Sequence, residues 1–100
     1  MAYTVVISKD IRRQLERLPG HVKPLVKEAL LSLPDNPRPP QSKQLEGHPT
    51  YYRIWISGDY RIVWSIFDED ALVELQYVGP KTPDLYAFLG LARPNNTDSN

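Results

Sequence analysis

The chain has 100 residues, 41% of them hydrophobic and 10% aromatic, with 12 basic and 12 acidic side chains cancelling to zero net charge. That length holds one core and not two, and the composition excludes a disordered or fibrous chain. The charge balance argues against bulk attraction to nucleic acid, while leaving room for a local basic patch.

There is no cysteine, which excludes disulfide staples and thiolate metal sites and fits a reducing cytoplasm, the expected location. No apolar run reaches the roughly 18 residues of a membrane span. The opening MAYTVVISKD lacks a basic region ahead of a long apolar stretch, so no secretory signal and no membrane partner are expected.

In chain order, residues 2–8 carry Val5, Val6 and Ile7 and predict a first strand. Ser8 suits an N-cap, and Ile11, Leu15 and Leu18 follow at helical spacing until Pro19-Gly20 stops the helix. A second helix is expected over 21–33, with Val22, Val26, Ala29, Leu30 and Leu33 on one stripe and Pro24 in its first turn. The two make a helical hairpin. Residues 34–50 hold five prolines without a period and predict a stiff loop. Strands are expected at 51–56, 60–67 and about 71–78, and a short last helix over 83–91. The expected fold is α+β: a small antiparallel or mixed sheet of about four strands in the order β-α-α-β-β-β-α, with the helical hairpin on one face. Residues 1–91 are read as one domain and 92–100 as a polar, disordered tail.

The stretch YYRIWISGDYRIVW (51–64) places Arg53 and Arg61 inside two strand-like runs. A one-residue slip in hairpin register exchanges the faces. With a two-residue loop both faces are mixed. With the three-residue loop Ser57-Gly58-Asp59, Ile56 pairs with Tyr60, Ile54 with Ile62 and Trp55 with Arg61, so Tyr52, Ile54, Ile56, Tyr60, Ile62, Trp64 and Ile66 share one core face. Tyr51, Arg53, Trp55, Arg61, Val63 and Ser65 then share the other, open face. A two-residue turn at Asp68-Glu69 adds Val73, Leu75 and Tyr77 to the core face, and Glu74 and Gln76 to the arginine face. Two arginines so close repel unless an anion lies between them. Glu74 could fill that role structurally and a phosphate functionally. His21 and His48 have no partner at metal-ligand spacing, and no metal site is expected.

The order of these pieces resembles the RelE/ParE superfamily of toxin–antitoxin toxins over about residues 2–90. The pieces are Ser8 at the first helix, LPDNP (33–37), KQLEG (43–47), Tyr52-Arg53-Ile54, GDYRIVW (58–64), Val78-Gly79 and Asp84-Leu85-Tyr86. Members of the RelE branch cleave messenger RNA on the ribosome without metal or cofactor. The nucleotide 2′-hydroxyl attacks the adjacent phosphate, leaving a cyclic phosphate and a free 5′-hydroxyl. Such chemistry calls for a base, cations for the phosphate charge and an acid for the leaving oxygen.

The resemblance implies that Arg53 is a base or phosphate contact and that Arg61 clamps the scissile phosphate. It implies that Lys81 is the acid or charge stabiliser and that Tyr86 stacks on or orients the substrate base. Lys43 is an RNA-contact candidate, or a solvated loop lysine. Trp55 stands where well-known members carry a second lysine; it would stack on a base or cover the sheet. Lys81 stands in place of a family arginine, a point charge for a planar fork.

The implied partners are a cognate antitoxin that wraps and neutralises the chain, the ribosome with its mRNA, and operator DNA through the antitoxin complex. Two alternatives stay open on the same fold. One is a non-enzymatic ParE-like inhibitor of DNA gyrase; the other is a decayed toxin kept for operator regulation with its antitoxin.

Overall fold

Ser8 separates the first strand from the first helix. Its backbone is extended, and its hydroxyl accepts a hydrogen bond from the Ile11 N–H, the N-cap geometry that satisfies an otherwise orphaned amide. The structure, a computed structural model, describes residues 2–93; positions 94–100 of the expected tail lie outside the described residues.

The strand before Ser8 is β1 (Thr4–Val6) and the helix after it α1 (Lys9–Glu16). Pro24 lies in the first turn of α2 (Lys23–Ser32), as expected. β3 (His48–Ile56), β4 (Tyr60–Phe67) and β5 (Leu72–Pro80) form the antiparallel centre of the sheet, and α3 (Leu85–Leu89) follows. No described helix is long and apolar enough to cross a membrane.

The sheet has five strands rather than about four. The extra one, β2 (Lys43–Leu45), lies inside the expected proline loop and pairs with β3, with Lys43 opposite Arg53 and Gln44 opposite Tyr52. Three residues give too short a pattern to read as alternation, and β2 forms only because Gly47, at φ 81°, turns the chain back onto the edge of β3. The strand order is β1-β5-β4-β3-β2, with β1 parallel to β5, so the sheet is mixed.

The three-residue loop between β3 and β4 is as expected, and the pairs Ile56–Tyr60, Trp55–Arg61 and Ile54–Ile62 are formed. Ser57 and Gly58 both take positive φ, at 56° and 78°. The next turn differs. Instead of two residues at Asp68-Glu69, a four-residue connection carries a 3-10 turn over Asp68–Asp70 and a left-handed Ala71, and Phe67 pairs with Leu72. Two and four differ by an even number, so Val73 and Leu75 keep the core face.

A bulge then corrects the placement of Tyr77. Trp64 pairs with Leu75 but Val63 with Tyr77, so Gln76 is the extra residue. From there the parity reverses. Tyr77 moves to the arginine face and Val78 takes its place in the core.

The helical hairpin buries Ile11, Leu18, Val22, Val26 and Leu33 against Ile62, Trp64, Ile66, Val73, Leu75 and Val78 of the sheet. Beyond the end of β1, Gln14 of α1 accepts the Val78 N–H at 2.8 Å, which satisfies an amide that the short strand leaves unpaired. The indole N–H of buried Trp64 donates to the Pro37 carbonyl at 2.9 Å and fastens the proline loop to the core.

Candidate functional site

The second face of the sheet is not open. Leu45, Val63, Tyr77 and Leu85 form a smaller core there, flanked by Tyr51, Tyr86, Leu89 and Leu91. The cover is α3. Asp84 caps it by accepting the Ala87 N–H, and left-handed Gly90 ends it, so the chain returns across the face. The sequence pattern assigns the alternation of β3 and β4 correctly but carries no signal that a five-residue helix would dock over it.

Cross-strand pairing builds two adjacent rows on this face. One runs Lys43, Arg53, Val63, Tyr77 and the other Trp55, Arg61, Gly79. The expected residues Arg53, Trp55, Arg61, Lys81 and Tyr86 converge on one concavity of about 350 Å³, together with Leu45, Thr82, Asp84, Leu85 and Arg93. Lys43, the remaining candidate, is exposed beside Arg53 and lies outside that lining.

Arg61 is the buried member, at 8% exposure, and its Nε–H finds no acceptor. Burial, and next the neighbouring Arg53, push its pKa down from the ordinary arginine value; a guanidinium still keeps its proton. Glu74 does not answer it: Glu74 pairs with Ser65, two rows of the ladder away. Among the described residues no carboxylate pairs with Arg53, Arg61 or Lys81. The Arg61 guanidinium carbon instead lies 4.4 Å from the centre of the Trp55 ring, and Lys81 Nζ lies 5.6 Å from that same centre. Lys81 is set by its backbone, whose N–H donates to the Asp59 carbonyl at 2.8 Å and so ties the end of β5 to the hairpin loop.

Among the described residues four cations therefore line the concavity against one carboxylate, Asp84. That carboxylate is engaged: it caps α3 and pairs with Arg93 at 2.6 Å, and the Ala87 amide foremost holds its pKa below the usual range. Tyr86 donates its hydroxyl to the Glu46 carbonyl at 3.0 Å, with its ring 5.6 Å from that of His48. His48 Nε2 lies 2.6 Å from the Ala92 carbonyl oxygen, which requires the proton on that nitrogen.

The Asp84–Arg93 pair and His48 are the parts that sequence reasoning missed. Asp84 carried a signal, a capping residue just before a short apolar helix. Arg93 carried none, because its place depends on the turn at Gly90. Chemically, the concavity offers fixed N–H donors and uncompensated positive charge to an anion with several oxygens.

A small α+β domain with a mixed five-stranded sheet and a helical hairpin on one face is the RelE-like toxin fold, and this chain has it. It is similar to a chain of the intact RelBE toxin–antitoxin complex of E. coli at 28% identity, with 81% of this chain and 99% of that one covered and a TM-score of 0.70. A chain of the archaeal RelE–RelB complex of Pyrococcus horikoshii is 27% identical over 84% of this chain and all of its own, at a TM-score of 0.68. For the RelBE2 complex of Mycobacterium tuberculosis the figures are 26%, 81%, 100% and 0.66. No family model and no curated protein matches the sequence.

Proposed function

We propose that this chain is the toxin of a toxin–antitoxin pair and acts as a ribosome-dependent mRNA endoribonuclease that inhibits translation. The observation that carries the reading is the convergence of Arg53, Arg61, Lys81 and Tyr86 on one hollow in which, among the described residues, no carboxylate pairs with the buried Arg61. The likeness to chains from RelE–RelB complexes supports it, and with it an antitoxin partner.

In this reading the scissile phosphate sits in the hollow, and the 2′-hydroxyl of the preceding nucleotide attacks it in line. Arg61 holds the non-bridging oxygens and stabilises the added charge of the transition state. Arg53 contributes positive charge and N–H donors to the phosphate. The proton of the 2′-hydroxyl passes to solvent or to a phosphate oxygen. Lys81 donates a proton to the departing 5′-oxygen, which leaves a cyclic phosphate upstream and a free 5′-hydroxyl downstream. Tyr86, its hydroxyl already engaged with Glu46, offers its ring to a base rather than a proton to the leaving group. Lys43, one strand outward from Arg53, meets the RNA backbone as it approaches. The antitoxin would cover the same hollow with acidic side chains, and operator DNA would be reached through that complex.

Induced expression of the chain in bacteria should arrest growth and yield cut ribosome-bound mRNA carrying 5′-hydroxyl ends. Arg61→Ala should lose at least about 100-fold in cleavage, the scale of removing one charge-stabilising donor. An Arg61→Ala chain as toxic as the wild type would sink the mechanism. Inhibition of supercoiling by purified gyrase, with no ribosome present, would favour the gyrase alternative instead.

A further inference from the structure

A buried guanidinium ordinarily sits against a carboxylate, which holds it in place and also cancels its charge. Among the described residues Arg61 is buried with no such partner, beside a second arginine that repels it. What lies against it is an indole: Trp55, its direct partner across the hairpin, with the guanidinium carbon 4.4 Å from the ring centre. The ring also lies 5.6 Å from Lys81 Nζ. An aromatic face attracts a cation through its quadrupole and accepts none of the five guanidinium N–H groups. It can thus offset part of the desolvation of Arg61 while leaving both its charge and its donors available to a ligand.

Gly79, opposite Arg61 on the other side, adds no side chain that could take over this task. Removing the indole would leave a buried, repelled cation with nothing to hold its plane.

We propose that Trp55 is the positioning residue of the anion site, holding Arg61 and Lys81 by cation–π attraction in the orientation that receives a phosphate. The phosphate itself belongs to the function proposed above; the ordering of Arg61 by Trp55 does not depend on it. The rival roles are stacking on a nucleobase, to which the 40% exposure of Trp55 lends itself, and passive cover of the sheet.

Inorganic phosphate, which has no base to stack, separates these roles. The full chain labelled with 15N would be titrated with inorganic phosphate while the Arg61 Nε–H resonance and its hydrogen-exchange rate are followed, in wild type, Trp55→Phe and Trp55→Leu. Trp55→Leu should weaken phosphate binding about 3- to 30-fold, the range of one cation–π contact, and should speed Arg61 Nε–H exchange by a similar factor. Trp55→Phe should restore most of both. Unchanged binding and exchange in Trp55→Leu would overturn the proposal and leave Trp55 to base stacking or cover.

If wild type binds no phosphate, the phosphate reading of the hollow fails, and the Arg61 exchange rates still decide the role of Trp55. Should Trp55→Leu not fold, fluorinated tryptophans incorporated in the wild-type chain weaken the ring quadrupole at nearly constant shape. Arg61 exchange should then rise with each added fluorine, and a flat series would refute the cation–π hold.

Discussion

At the scale of single residues, one position in the row of Trp55 and Arg61 carries no side chain. Gly79 stands opposite Arg61, and a Cβ built there would lie 2.9 Å from the Tyr77 hydroxyl oxygen and 3.1 Å from its ring carbon. Tyr77 cannot swing aside, because it is 94% buried by its 6% exposure and its hydroxyl donates to the Pro80 carbonyl. Gly79→Ala should therefore destabilise the fold by about 1–3 kcal/mol, the scale of overpacking, read from urea denaturation. Tyr77→Phe deletes the nearer of the two clashing atoms, so Gly79→Ala should cost less in that background, and additive effects of the two changes would refute the clash. Arg53, Trp55 and Arg61 were legible as one group, since strict alternation and the Ser57-Gly58-Asp59 loop leave a single register that sorts apolar from polar. The burial of Arg61 was not legible. Alternation assigns a face and says nothing of what lies over it.

At the scale of elements, α3 has five residues, too few to hold as an isolated helix. Its stability comes from Leu85, buried with Leu45, Val63 and Tyr77. Leu85→Ala should cost about 2–5 kcal/mol of unfolding free energy in a denaturant titration. Under the ribonuclease function proposed above it should also lower RNA cleavage, because α3 brings Tyr86 and the Asp84–Arg93 pair to the rim of the hollow. Stability unchanged by that substitution would mean that α3 is not held by this contact. The same small core explains the bulge at Gln76, which brings Tyr77 under α3 and Val78 to the helical hairpin. An extra residue in a strand leaves no mark in a hydrophobic pattern when both its neighbours are apolar-tolerant. For that reason Tyr77 was expected on the core face.

At the scale of the whole molecule, a surface network joins parts far apart in the chain. Arg38 of the proline loop meets Asp68 through two N–H groups, at 3.2 and 2.8 Å, and its Nε donates to the Tyr52 hydroxyl. Tyr3, ahead of β1, donates its hydroxyl to that same carboxylate at 2.6 Å. The bonds from Arg38, and next that from Tyr3, hold the Asp68 pKa below the usual carboxylate value. A carboxyl with a lowered folded-state pKa adds stability above its unfolded pKa, about 3.9, and loses it as pH falls through the folded value. Wild type should thus melt higher than Asp68→Asn at pH 6, with the gap closing as pH drops below about 4; a gap that persists in acid would show that the network does not titrate with folding. By itself the sequence determined the types of the longer elements, the helical stripes Ile11, Leu15, Leu18 and Val22, Val26, Ala29, Leu30, Leu33, and the register of the β3–β4 hairpin, because each is a local periodicity that a short window contains. It also placed Arg53, Trp55 and Arg61 on a common face. Only the tertiary structure decided that β2 exists, that Tyr77 changes sides, that α3 closes the face and that Trp55 rather than Glu74 meets Arg61. Each of these depends on which distant segment lies against the sheet, and the free energy of that contact is set by burial and shape complementarity between parts of the chain that no local pattern brings together.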